Sequence, residues 1–325
     1  MRKRLGRAVE LCGAVIGAGF ATGQEIAAFF SRYGAWSWLG VAVAVLTLAM
    51  LGTRLVRCCT RHGVNSLAAL CEEPLRSGMQ VLLILLLMVT GGAMLAGSGE
   101  VLERLLPLRG PILGAGATLL FSMLLAQREG SGLRWLSGAL MVLLLAVMAL
   151  CLLLPQGAAV TLSWTARMPW LAACWRGMCW GGFNAATIAP LLCEERDEAV
   201  PGWTALLVGV LLGLGNLLLL RHPERLGSTL PMATLFSALG KEGYLCGVTA
   251  MYLAMVTTLI AALRGLQTLL PGGERLRCGL AALLIAAVAC TGFDRIVERG
   301  YPLLGGTCLA LLLVLLVKNR QVARK

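Results

Sequence analysis

The stretch GAVIGAGFATGQEIAAFF, Gly13–Phe30, is apolar at both ends, carries Gly17 and Gly19 at its middle, and follows them with Thr22, Gln24 and Glu25. Glycine lets backbone N–H and C=O groups leave the helical ladder without a side-chain clash. Polar groups inside a bilayer are costly unless they face a partner or a wet cavity. The pattern therefore predicts a membrane helix that unwinds at Gly17–Gly19 beside a polar pocket. The competing reading makes Gly13, Gly17, Gly19 and Gly23 a small-residue face for close helix packing. A dinucleotide fingerprint is excluded, because Gly17-x-Gly19 meets Gly23 one position late and no strand precedes it.

Working outward, the 325 residues are 58% hydrophobic and only 14% charged, too apolar for a soluble core. Runs such as Val81–Val89, Leu140–Leu154, Leu206–Leu220 and Leu303–Val317 approach, with their flanks, the roughly 20 residues that cross a bilayer. Backbone groups in lipid must bond within their own segment, so the runs should be helices. Spans are expected near 7–31, 35–56, 78–102, 110–127, 133–154, 169–192, 201–220, 243–265, 277–293 and 301–317. Residues 1–20 read as a retained first helix rather than a signal peptide, since Arg7 and Glu10 interrupt the apolar run. The segment Met232–Leu239 is too short to cross and is expected to lie along the outer surface.

The net charge of +12 is dispersed in short clusters between apolar runs, which suits membrane orientation and not nucleic-acid binding. With the amino terminus inside, 18 Lys and Arg fall on the cytoplasmic side against 10 outside, so both termini should be cytoplasmic, in the inner (plasma) membrane. Trp36, Trp38, Trp164 and Trp170 then collect at the outer interface, with Trp135 and Trp203 at the inner one. The twelve cysteines form no C-x-x-C pair and His62 and His222 are far apart, so no metal site is expected.

A second glycine break is read in span 6, at WGGFN, Trp180–Asn184, about twelve residues or roughly 18 Å into its helix, as IGAGF at Ile16–Phe20 is in span 1. Asn184 and Thr187 follow it. Two sets of five spans, 5–154 and 169–317 of one transporter domain 1–325, are then inverted relative to each other, the layout in which broken helices mark a transporter site. An unwound span 1 offers carbonyls to a cation and N–H groups to an anion, matching a zwitterion such as an amino acid. Of the charged residues within spans, Arg7 and Glu10 should pair at an inner gate. Glu100 is expected to reach interfacial water and Arg176 to snorkel. Glu25 either carries a coupled proton or pairs with Arg32 or Arg176. The acidic Cys193–Glu198 stretch reads as a solvated inner loop.

The Gly13–Phe30 stretch resembles the opening of the YkvI-like bacterial membrane proteins, distant members of the amino acid, polyamine and organocation transporter superfamily. The resemblance implies an all-α leucine-transporter-like fold of about ten transmembrane helices in two inverted repeats with helices 1 and 6 broken. It also implies a sodium site from carbonyls of Gly13 and Ile16 with hydroxyls of Thr257 and Thr258. A substrate site would be built from Gly17, Ala18, Gly19, Thr22, Gln24, Trp180, Gly181, Gly182 and Asn184, with Glu25 as a coupling group and amides near Ala18 and Gly19 meeting a substrate carboxylate. For the threonines the competing reading is back-bonding to their own helix. Phe20 stands where some sodium-coupled members place an Asn, which argues against a second sodium.

The resulting expectation is a secondary transporter of a small polar solute, without a cofactor beyond a sodium ion or proton for coupling. A transporter-like receptor that binds its solute without carrying it would show the same site, as resemblance to spore-germination subunits allows. A channel would need a continuous polar lining in place of two focal breaks. An intramembrane enzyme is disfavoured because Asp197 and Asp294 are the only aspartates, both at span ends.

Overall fold

The computed structural model describes residues 2–106, 110–127, 132–155 and 168–322. Arg109, Arg128, Trp164, Arg167, Arg324 and Lys325 lie outside them. The described residues are helical throughout, joined by turns and short loops: α1 Arg2–Val15, α2 Ala18–Thr22, α3 Gln24–Phe29, α4 Ser37–His62, α5 Leu75–Leu105, α6 Pro111–Ala126, α7 Gly132–Cys151, α8 Pro169–Thr187, α9 Ala189–Glu194, α10 Val200–Arg221, α11 Pro231–Phe236, α12 Gly240–Leu269, α13 Glu274–Ala289, α14 Phe293–Arg295 and α15 Tyr301–Val322. A π-helical turn, Ile296–Gly300, joins α14 to α15. Among the described residues, five stretches are long and apolar enough to cross a bilayer: Ser31–His62, Leu75–Leu105, Val200–Arg221, Pro231–Leu269 and Phe293–Lys318.

Apolar side chains occupy both the inside and the outside, as a bilayer allows. Met251 and Cys179 are fully buried, whereas Ile112 is 84% and Leu303 72% exposed. Water would penalise that outer girdle, and lipid does not.

Glycines set the closest helix crossing. A Cβ at Gly181 of α8 would lie 2.7 Å from Thr47 Cβ and 2.8 Å from Ala44 O of α4, and one at Gly177 would strike Gly40 O. On the opposite face of α8, a Cβ at Gly182 would lie 2.8 Å from Leu309 Cβ and 2.9 Å from Gly305 O of α15. Helix α8 is thus clamped between α4 and α15 at backbone contact.

Two expectations change here. Helix α8 runs unbroken through Trp180–Asn184, and the sixth span breaks later, at Ile188 (φ −93°, ψ 1°), where Pro190 within the first turn of α9 removes a donor and crowds the preceding turn. The segment ahead of α12 is not a surface helix. Met232, Ala233, Leu235 and Phe236 of α11 are buried, because an apolar segment gains more from the helix bundle than from an interface. Met232 Cγ would lie 2.8 Å from a Cβ at Gly23, so α11 caps the bend in the first span.

The two ends of the molecule differ in their charge contacts. At one end Arg4 pairs with Asp197, Arg7 with Glu195 (3.3 Å) and Glu10 (2.8 Å), Arg57 with Glu198 (2.6 Å) and Lys318 with Glu72 (3.2 Å). These contacts place α1, the ends of α4 and α15 and the α9–α10 loop on one face. The Cys193–Glu198 stretch is therefore not simply solvated: three of its carboxylates clasp arginines of α1 and α4. At the other end Arg32 pairs with Glu298 at 2.5 Å, and Arg104 donates to Thr229 Oγ1 at 3.4 Å.

Candidate functional site

The first span is broken twice. At Gly17 (φ −90°, ψ −165°) the backbone is extended, and its N–H turns to Val15 O at 3.0 Å instead of continuing the ladder to Gly13. The Gly13 carbonyl thereby loses its helical partner. At Gly23 (φ +76°) the chain enters the left-handed region that glycine adopts without strain. Thr22 holds this second bend. Its hydroxyl donates to Gly19 O at 2.8 Å and accepts the Gln24 N–H at 3.2 Å. Thr22 is fully buried and committed to the backbone, as a capping residue would be.

Glu25 leads from this bend into the bundle. Its Oε1 accepts the indole N–H of Trp180 at 2.6 Å, and the Asn184 side chain also hydrogen-bonds to the carboxylate. Asn184 is itself fixed, donating to Trp180 O at 3.0 Å. The other carboxylate oxygen, Oε2, presses on Gly19, where a Cβ would collide with it. Around this group Phe30 meets Trp180 edge-on with centroids 5.9 Å apart, and Phe183 stacks on the buried Tyr301 at 4.7 Å. Glu25 therefore does not pair with Arg32 or Arg176. Arg32 is bound to Glu298, and Arg176 donates to Glu298 O at 3.1 Å instead of snorkelling to an interface. Two indole and amide donors already satisfy a carboxylate, so no arginine need be buried with it.

Across the first break stands α12. Thr257 and Thr258 donate to Ala254 O at 2.9 and 3.0 Å, the back-bonded arrangement, and Thr258 Oγ1 lies 3.9 Å from a Cβ placed on Gly17. Back-bonding uses each hydroxyl proton and leaves its lone pairs as acceptors. Of the two hydroxyls, that of Thr258 faces the break at Gly17. Among the described residues no cluster of three His, Cys, Asp or Glu side chains is suited to a metal ion.

Of the residues singled out in the sequence, the structure gathers Gly17 with Thr258, and Gly19 with Glu25, Trp180 and Asn184. Ile16 and Ala18 flank the first break and Gly13 precedes it. Gly181 and Gly182 face α4 and α15 and contribute packing. Gln24 leaves the group, its side-chain amide donating to Asp294 Oδ1 at 3.0 Å. Tyr301, Phe183, Ala254 and Asp294 were not anticipated as site residues. Of these only Asp294 carried a signal, as one of two aspartates in the chain.

No family model matches the chain. It is 26% identical to the uncharacterized membrane protein YkvI of Bacillus subtilis (strain 168), over 94% of its own length and 93% of the relative's. Among solved structures it matches a point mutant of the Eremococcus coleocola manganese transporter with a TM-score of 0.68 at 16% identity, covering 95% of this chain and 78% of that one. A second structure of that transporter, in complex with an aromatic bis-isothiourea substituted compound, matches with a TM-score of 0.62 over 95% and 76% of the two chains. The chain is thus similar to YkvI along nearly its whole length, and its fold is the leucine-transporter-like fold of that manganese transporter.

Proposed function

We propose that this membrane protein is a secondary transporter of a small polar solute bearing an amino group, an amino acid or related zwitterion, moved by alternating access and coupled to sodium or protons. The observation that carries the reading is Glu25, a carboxylate fixed by Trp180 and Asn184 beside Gly19, where the first span leaves the helical ladder. A fixed, partly buried carboxylate attracts a cationic amine. Thr258 Oγ1 opposite Gly17, with Thr257 beside it in sequence, supports a sodium site completed by carbonyls of Gly13 and Ile16. The reading places both termini in the cytoplasm and treats 5–154 and 169–317 as the two inverted repeats. Manganese is named for the structural neighbours, and the donor set described here offers no three-ligand cluster for it.

The test is equilibrium binding of an amino acid panel to purified protein across sodium concentration and pH, followed by uptake of the hit into proteoliposomes. Thr258→Ala should weaken binding at low sodium with recovery at high sodium, because the two bound species are linked. Glu25→Gln should weaken binding at every sodium concentration and leave the sodium dependence itself in place. Binding that ignores sodium, follows pH and loses its pH response in Glu25→Gln assigns coupling to the proton. Binding without uptake would replace the transporter by the receptor reading.

A further inference from the structure

Gln24 is 1% exposed, yet its Oε1 has no hydrogen-bond partner, while its Nε2 holds Asp294 Oδ1 at 3.0 Å. An amide oxygen buried without a donor is unfavourable, and here it sits within an amide's width of a carboxylate. Asp294 lies in α14, and its field is shared with Glu298 and with Glu100 of α5. Glu100 hydrogen-bonds to Thr229, which also receives Arg104. Of the cations on this face, Arg32 is paired with Glu298, Arg176 donates to Glu298 O, and Arg295 and Arg299 are exposed. Glu100, Glu103, Asp294 and Glu298 share this face with Arg32 and Arg104. Gln24 Oε1 has no donor, and Asp294 and Glu100, which accept from Gln24 Nε2 and Thr229, keep further lone pairs.

We propose that Gln24, Asp294 and Glu100 form a binding site for a protonated primary amine at the end of the molecule opposite the amino terminus. An ammonium group brings three N–H donors to one amide oxygen and two carboxylates. A metal ion is the poorer occupant, because the described residues hold no group of three His, Cys, Asp or Glu side chains close enough to ligate one. Gln24 and Glu25 are consecutive on α3, the first bonded to Asp294 of α14 and the second to Trp180 of α8. The argument for this site rests on the unpartnered Gln24 oxygen and does not depend on the function proposed for the centre.

The experiment uses the full chain in detergent near neutral pH with n-propylammonium as probe, read by calorimetry, and with tetramethylammonium, sodium and manganese(II) in parallel. Saturable propylammonium binding is expected, with no binding of tetramethylammonium, which has no N–H donor. Asp294→Asn should weaken propylammonium by about ten- to a hundredfold, the loss of one charge-assisted bond, and Gln24→Met should weaken it by a smaller factor. Glu224→Gln, a remote carboxylate change, should leave it unaltered. If Asp294→Asn protein does not fold, Glu100→Gln carries the same expectation. The site is overturned by the absence of saturable binding or by equal binding of tetramethylammonium. It is also overturned by binding of manganese(II) alone, by affinity that survives both Asp294→Asn and Gln24→Met, or by affinity lost in Glu25→Gln but kept in Asp294→Asn.

Discussion

The indole N–H of Trp180 reaches Glu25 Oε1 at 2.6 Å and ties the bent first span to the middle of an unbroken helix 155 residues away. Trp180→Phe keeps the edge-on ring contact with Phe30 and removes the donor. It should destabilise the protein by about 1–3 kcal/mol, the cost of leaving a buried acceptor short of a partner. In a Glu25→Gln background the same change should cost less, since a neutral amide oxygen is a weaker acceptor. Thermal unfolding of the two single variants and the double variant checks this, and strictly additive losses would show that the bond carries no weight.

The glycines of the two spans should answer differently to substitution. Gly181→Ala places a methyl group against Thr47 and Ala44, so a loss of about 1–3 kcal/mol in stability is expected with no selective effect on the solute. Gly19→Ala instead pushes the Glu25 carboxylate off the Trp180 indole and the Asn184 amide. Solute affinity should fall together with about 1–3 kcal/mol of stability. Unfolding and binding measured on the same two preparations separate the cases, and solute affinity kept in Gly19→Ala or lost in Gly181→Ala would contradict the assignment.

At the amino-terminal face, Asp197 is held below the usual carboxylate range by the Ala199 N–H and by Arg4, and Glu198 is held low by Arg57. Carboxyls depressed in the folded state contribute stability above their unfolded values, and that contribution is lost as pH falls through the folded ones. The window lies below about pH 4, given ordinary values near 3.9 for Asp and 4.3 for Glu. Unfolding temperature should drop more steeply below that pH in wild type than in Asp197→Asn/Glu198→Gln, and added salt should shrink the difference, since these pairs are exposed. Superimposable acid profiles would mean that the clasp contributes nothing.

Reporter fusions after Arg61 and after Lys325 should both read cytoplasmic, and one after Glu224 external. The shared face of α1, the ends of α4 and α15 and the α9–α10 loop requires the first two to agree. A disagreement between them would be incompatible with the charge contacts themselves.

The sequence was most legible where backbone chemistry is local. Gly17 and the polar residues after it announced an interrupted helix, and the interruption lies there, because freedom of φ and ψ belongs to the residue itself. Gly181 and Gly182 carried the same local signal with the opposite meaning. A glycine that unwinds and one that admits a neighbouring helix look identical until Thr47 and Leu309 are in place. The true break in the sixth span had a sequence sign in Pro190, masked by the more conspicuous glycine pair. Partners across the chain, such as Asp294 for Gln24 or Glu195 for Arg7, followed from no spacing rule, since 270 and 188 residues separate them.

The seam along α8 bears on how this sequence drifts among its relatives. Gly40, Gly177, Gly181, Gly182 and Gly305 have no side chain to trim, so a larger residue at any of them is accommodated only by shrinkage across the crossing. Substitutions at positions 181 and 47, and at 182 and 309, should therefore arise in concert. A designer seeking a more robust version of the protein has room to vary the outward faces of α6 and α13, and almost none along this line.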